Sequence, residues 1–197
     1  MKALLLVDIQ NDFLPGGSLA VNEGDLIIPV ANELMAPRVT DLVVATQDWH
    51  PHGHGSFASA NGKNPFEMGE LSGLPQVMWP DHCVQHTFGA QLADELKEEK
   101  IHKTFVKGTD PTVDSYSAFY DNAKRNSTGL GEWLKKQGVT ELIVLGLATD
   151  YCVKFSVLDA LELGFKVKLV VDGCRAVDPV AGERAIKDME EAGAELI

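Results

Sequence analysis

Apolar residues follow two recurring patterns along the chain. Short runs, rich in leucine and β-branched residues and closed by turn residues, lie at Ala3–Val7, Leu42–Thr46, Thr104–Val106, Leu142–Leu145 and Val167–Val171. Such runs suit strands buried on both faces, because a strand with one wet face would alternate. Between them, apolar positions recur at helical spacing in Leu26–Met35, Ala90–Leu96, Gly131–Lys136, Val153–Leu163 and Val180–Ala192. Alternating strand and helix predicts right-handed βαβ units and an α/β fold. The expected architecture is three-layered and Rossmann-like, a mostly parallel sheet of about six strands flanked by helices, with Glu195–Ile197 as a short last strand. One stretch resists the pattern. From Trp49 to His86 the chain is rich in Gly, Pro, His and Asn, and it holds five of the six histidines. Loops of that length inside compact domains are either functional or disordered, and the histidines favour function.

Composition narrows the picture. At 197 residues and 45% apolar content, the chain suits one well-buried core better than two, so residues 1–197 are expected to form a single domain. A net charge of -12 without any Lys/Arg cluster argues against nucleic acid as a partner, since binding phosphates requires a basic surface. The first apolar run stops at Asp8, too soon for a signal-peptide core or a membrane span, so no membrane partner is expected. Three cysteines at unrelated spacings, Cys83, Cys152 and Cys174, do not form a disulfide framework and point to a reducing cytoplasm. A homo-oligomer is compatible with these features.

In parallel sheets, ligands bind beyond the carboxyl ends of the strands. The residues at those ends are Asp8, Asp48, Lys107 and the turn Gly146–Cys152. A cysteine near a helix start is ordinarily a small buried hydrophobe. Here a carboxylate, an ammonium and a thiol fall at equivalent strand ends. Cysteine attacks as thiolate, which a neighbouring cation and a helix N-terminus favour; Lys107 would supply the first and the Thr149–Cys152 turn the second. Asp8 would move the protons, a role suited to a carboxylate whose pKa burial raises. Asp48 and His50 stand two apart as a strand ends and so face the same side. They would share one ion with a third ligand from among His52, His54, His82 and His86, a set that fits zinc, iron or manganese.

These residues carry a resemblance. Leu4-Leu5-Leu6-Val7-Asp8-Ile9-Gln10-Asn11-Asp12-Phe13, Thr46-Gln47-Asp48-Trp49-His50-Pro51, Trp79-Pro80-Asp81-His82-Cys83-Val84, Phe105-Val106-Lys107-Gly108 and Gly146-Leu147-Ala148-Thr149-Asp150-Tyr151-Cys152-Val153 resemble, in order, the motifs of the nicotinamidases (pyrazinamidases) of the isochorismatase-like cysteine hydrolases. The match spans essentially the whole chain. It implies a catalytic triad of Asp8, Lys107 and Cys152 that hydrolyses nicotinamide to nicotinate and ammonia in NAD salvage, through a thioester. It implies a cis peptide between Leu147 and Ala148, with the amides of Ala148 and Cys152 as an oxyanion hole. It implies one divalent metal ion, zinc with iron or manganese as alternatives, held by Asp48, His50 and His82, and accepting the pyridine nitrogen. Phe13, Trp79 and Tyr116 match the family's pocket walls, with Trp49 and Phe57 as weaker candidates. His54 stands where family members vary, His86 is expected in a loop, and His102 on the surface before a strand.

Three other readings compete. An isochorismatase typically lacks the nucleophilic cysteine, and an N-carbamoylsarcosine amidohydrolase shares the triad but lacks the Asp-x-His pair. A non-catalytic pyridine-metabolite binding protein would not need the triad. Pyrazinamide, with ring nitrogen and carboxamide disposed as in nicotinamide, is a further substrate that the resemblance implies.

Overall fold

The computed structural model describes all of residues 1–197. Six strands form one fully parallel sheet: β1 (Lys2–Val7), β2 (Leu42–Asp48), β5 (Lys103–Lys107), β6 (Glu141–Leu147), β7 (Lys166–Arg175) and β8 (Glu195–Leu196). Their order across the sheet is β5-β2-β1-β6-β7-β8. Four helices flank it: α1 (Ile27–Leu34), α2 (Leu130–Lys136), α3 (Lys154–Glu162) and α4 (Pro179–Glu191). The apolar runs sit where double-sided burial predicts: Ala3 to Val7, Val43 to Ala45 and Leu142 to Leu145 are all buried within one cluster of 47 apolar side chains. Helix α4 begins where Asp178 accepts the amides of Val180 and Ala181 with Pro179 in the first turn, a start that satisfies two otherwise unpaired donors. No helix is long and apolar enough to cross a membrane.

The topology decides where a site can form. From β1 the chain winds outward through β2 to β5, then returns to the other side of β1 and winds through β6 and β7 to β8. The direction reverses between β1 and β6, and the crevice at such a switch point is the ligand site of open α/β sheets. Asp8 and the turn carrying Cys152 follow β1 and β6 directly. Gly146 makes this possible: a Cβ there would lie 2.0 Å from the Val7 carbonyl oxygen, so only glycine lets β6 run this close to β1.

Two expectations fail. Residues 90–96 are not a helix. The segment instead runs alongside the loop after β1, with Asn11 donating to the Gln91 carbonyl and Ala93 to that of Ile9, so Leu92, Ala93 and Leu96 are buried under a loop, not on a helix face. Seven residues are also too few for a helix to sustain itself without strong packing. The long loop contains an antiparallel hairpin, β3 (Met68–Leu71) and β4 (Leu74–Val77), closed by Ser72 (φ 52°) and Gly73 (φ 80°). Two positive φ values define the tight turn that matches strand twist, and the Ser-Gly pair was its only sequence signal.

Candidate active site

Three side chains from different strand ends converge on one ammonium. Lys107, the last residue of β5, is paired in register with Asp48, the last of β2. Its Nζ lies 2.5 Å from Asp48 Oδ1, 2.8 Å from the Ser115 carbonyl oxygen and 3.4 Å from Cys152 Sγ. It also stands 2.9 Å from Asp8 Oδ2. Asp8 turns the chain out of β1 with φ 50°, a left-handed conformation that Asp tolerates better than most residues. Thr46 fixes it from both sides, accepting the Asp8 amide at 3.3 Å and donating to Oδ1 at 2.6 Å. Asp8 Oδ2 receives no hydrogen bond although it is buried: the ammonium beside it is an ion-pair contact outside hydrogen-bond geometry. One carboxylate oxygen each of Asp8 and Asp48 and the Cys152 sulfur lie within 4.8 Å of one another. Cys152 sits in a π-helical turn, Thr149–Val153, that leads into α3, and the peptide between Leu147 and Ala148 is cis.

The electrostatics of this cluster follow from burial and sign. Burial opposes the charge on Lys107, yet the carboxylates of Asp48 and Asp8 outweigh it and hold the ammonium well above its ordinary pKa. Burial pushes the Asp8 carboxyl upward and the Asp48 charge adds to this, with Lys107 opposing. Asp48 goes the other way, because Lys107 and His50 overcome its burial. Cys152 departs from the sequence expectation. Lys107 does favour its thiolate, but burial and the two carboxylates prevail and raise the thiol well above its ordinary value. Cys152 is therefore held toward its thiol form, beside a buried carboxylate whose Oδ2 is paired with the Lys107 ammonium.

Next to Asp8, Lys107 and Cys152, Asp48 Oδ2 faces His50 Nε2 at 3.6 Å and His82 Nε2 at 3.7 Å. His50 Nδ1 is 2.8 Å from the Gly108 carbonyl and His82 Nδ1 is 2.7 Å from that of Pro80. A carbonyl only accepts, so each Nδ1 carries a proton, and in the neutral ring each Nε2 presents a lone pair. Two lone pairs and a carboxylate oxygen thus converge, and His50 Nε2 is buried with no donor. This donor set fits a divalent ion. Ligands around one ion at 2.0–2.2 Å stand roughly 3 to 3.5 Å apart, slightly closer than here, and backbone-anchored histidines are the usual support. Gly108 is needed at its position, since with φ 65° a Cβ would fall 2.4 Å from the His50 ring. Of the other candidates only His54 falls in a second close group, with His50 and Asp114. His52 and His86 are exposed in loops and His102 is exposed before β5. His54 is buried beside His50, but the Ser56 amide donates to its Nδ1 at 3.1 Å and its Nε2 is 2.8 Å from the Asp110 carbonyl, so neither nitrogen has a free lone pair.

A small, partly open cavity lies between the two clusters. Cys152 and Ala148 lie on its wall with Asp48 and His82. Phe13, Trp79 and Tyr116 line it as expected, whereas Trp49 and Phe57 do not. Phe57 packs beneath the metal cluster, against His50, His54 and His82 at 5.5 to 5.7 Å between ring centroids. Trp49 packs against His86.

Comparison with known proteins resolves the family. The isochorismatase domain matches residues 2–197. The chain belongs to the isochorismatase-domain family. Within it, the chain is 55% identical to the nicotinamidase of Escherichia coli over 99% of its length and 93% of that protein. Among solved structures it resembles an Acinetobacter baumanii nicotinamidase/pyrazinamidase, with TM-score 0.95, 42% identity and coverage of 100% and 95% of the two chains. It resembles the L. infantum PnC1 in complex with nicotinate at TM-score 0.88 and 37% identity, covering 100% and 92%. It also resembles a Pyrococcus horikoshii pyrazinamidase in complex with zinc, at TM-score 0.82 and 37% identity, covering 100% and 98%.

This isochorismatase-domain chain uses pocket residues that the sequence reading missed: Leu19, Asp114, Tyr151 and Val177. Tyr151 neighbours Cys152 and was within reach of inference. Asp114 was not, because it lies in an aperiodic stretch after β5. Its oxygens accept the Ser115 amide at 2.8 Å and Gln76 Nε2 at 2.9 Å, anchoring the segment whose Ser115 carbonyl accepts from Lys107. Leu19 and Val177 arrive from loops that only the fold brings to the cavity.

Proposed function

We propose that this chain is a nicotinamidase that hydrolyses nicotinamide to nicotinate and ammonia through an acyl-Cys152 thioester, with Asp8, Lys107 and Cys152 as its triad. The observation that carries the reading is the buried convergence of the Asp8 carboxylate and the Cys152 sulfur on the Lys107 ammonium. Asp8 takes the thiol proton as Sγ bonds to the carboxamide carbon. The amides of Ala148 and Cys152 receive the developing oxyanion, where one donor is typically worth roughly 3 to 4 kcal/mol. The C–N bond then breaks, Asp8 delivers the proton to the leaving nitrogen, and ammonia departs. Water enters, Asp8 removes one of its protons as the new C–O bond forms, and the C–S bond breaks. Asp8 returns that proton to the sulfur to restore the thiol, and the carboxylic acid loses its remaining proton to water. Lys107 balances Asp8 and the transient thiolate throughout.

Asp48, His50 and His82 would hold the ion, which when bound offers a Lewis-acidic position for the pyridine nitrogen. Zinc suits two imidazoles and a carboxylate, and iron or manganese also fit. Phe13, Trp79 and Tyr116 would wall the flat ring. The triad is shared with N-carbamoylsarcosine amidohydrolases, but the Asp48-His50-His82 cluster favours a pyridine. Three free cysteines suit a reducing cytoplasm, and the continuous core suits one domain. Incubation of the reduced, zinc-loaded protein with nicotinamide is expected to release ammonia; no release would overturn this reading.

Two further outcomes follow. Protonated Asp8 cannot accept the thiol proton, and its pKa is raised above 3.8, so kcat/KM should fall in acid along a limb lying above the ordinary carboxylate range. A limb at or below that value would place the general base elsewhere. Loss of one ligand in His82→Ala should raise KM by about tenfold or more through weaker ion binding, with a smaller effect on kcat. A larger loss in kcat than in binding would assign the ion to water activation.

A further inference from the structure

Three polar residues in the loop after β1, Gln10, Asn11 and Asp12, take no part in the chemistry above. Each sends its side chain to the backbone of the segments that carry the metal-ligand side chains. Asn11 donates to the Phe88 carbonyl at 3.0 Å, and Asp12 accepts the amide of Cys83, next to His82, at 2.7 Å. Gln10 goes to Asp48 itself. Its Oε1 accepts the Asp48 amide at 2.8 Å, while Nε2 donates to the Asp48 carbonyl at 2.8 Å and the Ala90 carbonyl at 2.9 Å. The side chain is fully buried, and both of its donor hydrogens are used.

This pairing substitutes for a strand. The ladder between β1 and β2 ends at Leu6 and Ala45, because β1 turns away at Asp8. Asp48 lies three residues further on and has lost its main-chain neighbour on that side. The carboxamide of Gln10 offers one acceptor and one donor to a single residue, as a peptide group of the missing strand would. Asp48 is also the residue that joins the two clusters, with Oδ1 on Lys107 and Oδ2 facing His50 and His82. We propose that Gln10 is the positioning residue for Asp48, holding its backbone so that one carboxylate serves the ammonium and the metal ion together. The proposal rests on the metal-site reading above.

The test is the zinc affinity of folded protein, measured by competition with a chelating dye. Gln10→Met keeps the length and removes every hydrogen bond; it should weaken zinc binding by tenfold or more, in the range of lost outer-shell partners. Gln10→Glu retains an acceptor for the Asp48 amide and should lose less. Gln47→Met is the control, because Gln47 donates to the same Ala90 carbonyl at 2.9 Å and makes no bond to Asp48; its zinc affinity should stay within threefold of the parent's. A folded Gln10→Met protein within threefold of the parent, or a Gln47→Met protein that loses as much, overturns the proposal. So does failure of both Gln10 variants to fold, which would assign Gln10 to folding alone. A parent that binds zinc but releases no ammonia from nicotinamide would refute the nicotinamidase reading and leave this proposal standing, whereas a parent that binds no zinc would refute the metal site and this proposal with it.

Discussion

Cys152→Ala is expected to lower ammonia release from nicotinamide by about 10⁴-fold or more while nicotinamide binding stays within a few-fold of the parent's. Knockouts of a nucleophile in a cooperating set cost losses of this order because the covalent route disappears altogether. Binding should survive because the sulfur is one small part of the cavity wall, and the aromatic faces and the Asp48, His82 side are untouched. Turnover by rapid mixing, with affinity by calorimetry on the same preparation, checks both halves. Retained turnover would remove Cys152 from the mechanism; lost binding would mean the variant reshapes the pocket.

Lys107→Ala should produce the largest change in stability. The ammonium is completely buried and stands between the carboxylates of Asp8 and Asp48, at 2.9 and 2.5 Å. Removing one member of a buried ion cluster strands the others, at a cost of about 3 to 5 kcal/mol. For a domain of this size that corresponds to a fall in Tm of roughly 6 to 20 °C. The sign of the pH dependence follows from Asp48, whose pKa Lys107 holds well below its ordinary value. A depressed carboxylate contributes stability that is present above the unfolded pKa and lost in acid. The difference between parent and variant should therefore be widest near neutrality and narrow as pH falls and the stranded carboxylates protonate. The thiol should also respond. Lys107 favours the Cys152 thiolate, so the alkylation profile of the variant should move to higher pH. Thermal melts from neutral to acid pH, with iodoacetamide rates across alkaline pH, measure both; an unshifted alkylation profile would contradict the placement of Lys107 beside the sulfur.

Much of this site could be read from residues alone because parallel sheets place their ligands at one edge. Asp8, Asp48 and Lys107 end or follow predicted strands, so their convergence follows once β1, β2 and β5 are adjacent. Cys152 was marked by the glycine-led turn after β6. The Asp48-His50 pair was readable from extended-chain geometry, whereas the choice of His82 over His52, His54 and His86 rested on family resemblance. In the structure His82 lies beside Asp48 and His50, His54 has both ring nitrogens engaged, and the other two are exposed. The supposed helix at 90–96 failed because its apolar spacing records burial beneath the loop after β1, which local periodicity does not distinguish from a helix face.

The electrostatic balance at Cys152 also lay beyond the sequence. A lysine and a helix start near a cysteine suggested a lowered pKa; the folded protein adds complete burial and a second carboxylate, and these prevail. By itself, then, the sequence determined the strands, the reactive residue types and their place at the strand ends, since these depend on local pattern and on the general handedness of βαβ units. Tertiary structure alone decided which histidine nitrogens are engaged by neighbouring groups, that Gln10 pairs with the main chain of Asp48, and that the Asp8 carboxylate, the Lys107 ammonium and the Cys152 thiol share one buried cluster. Those features arise from contacts between segments far apart in the chain, and desolvation there sets the balance of charge.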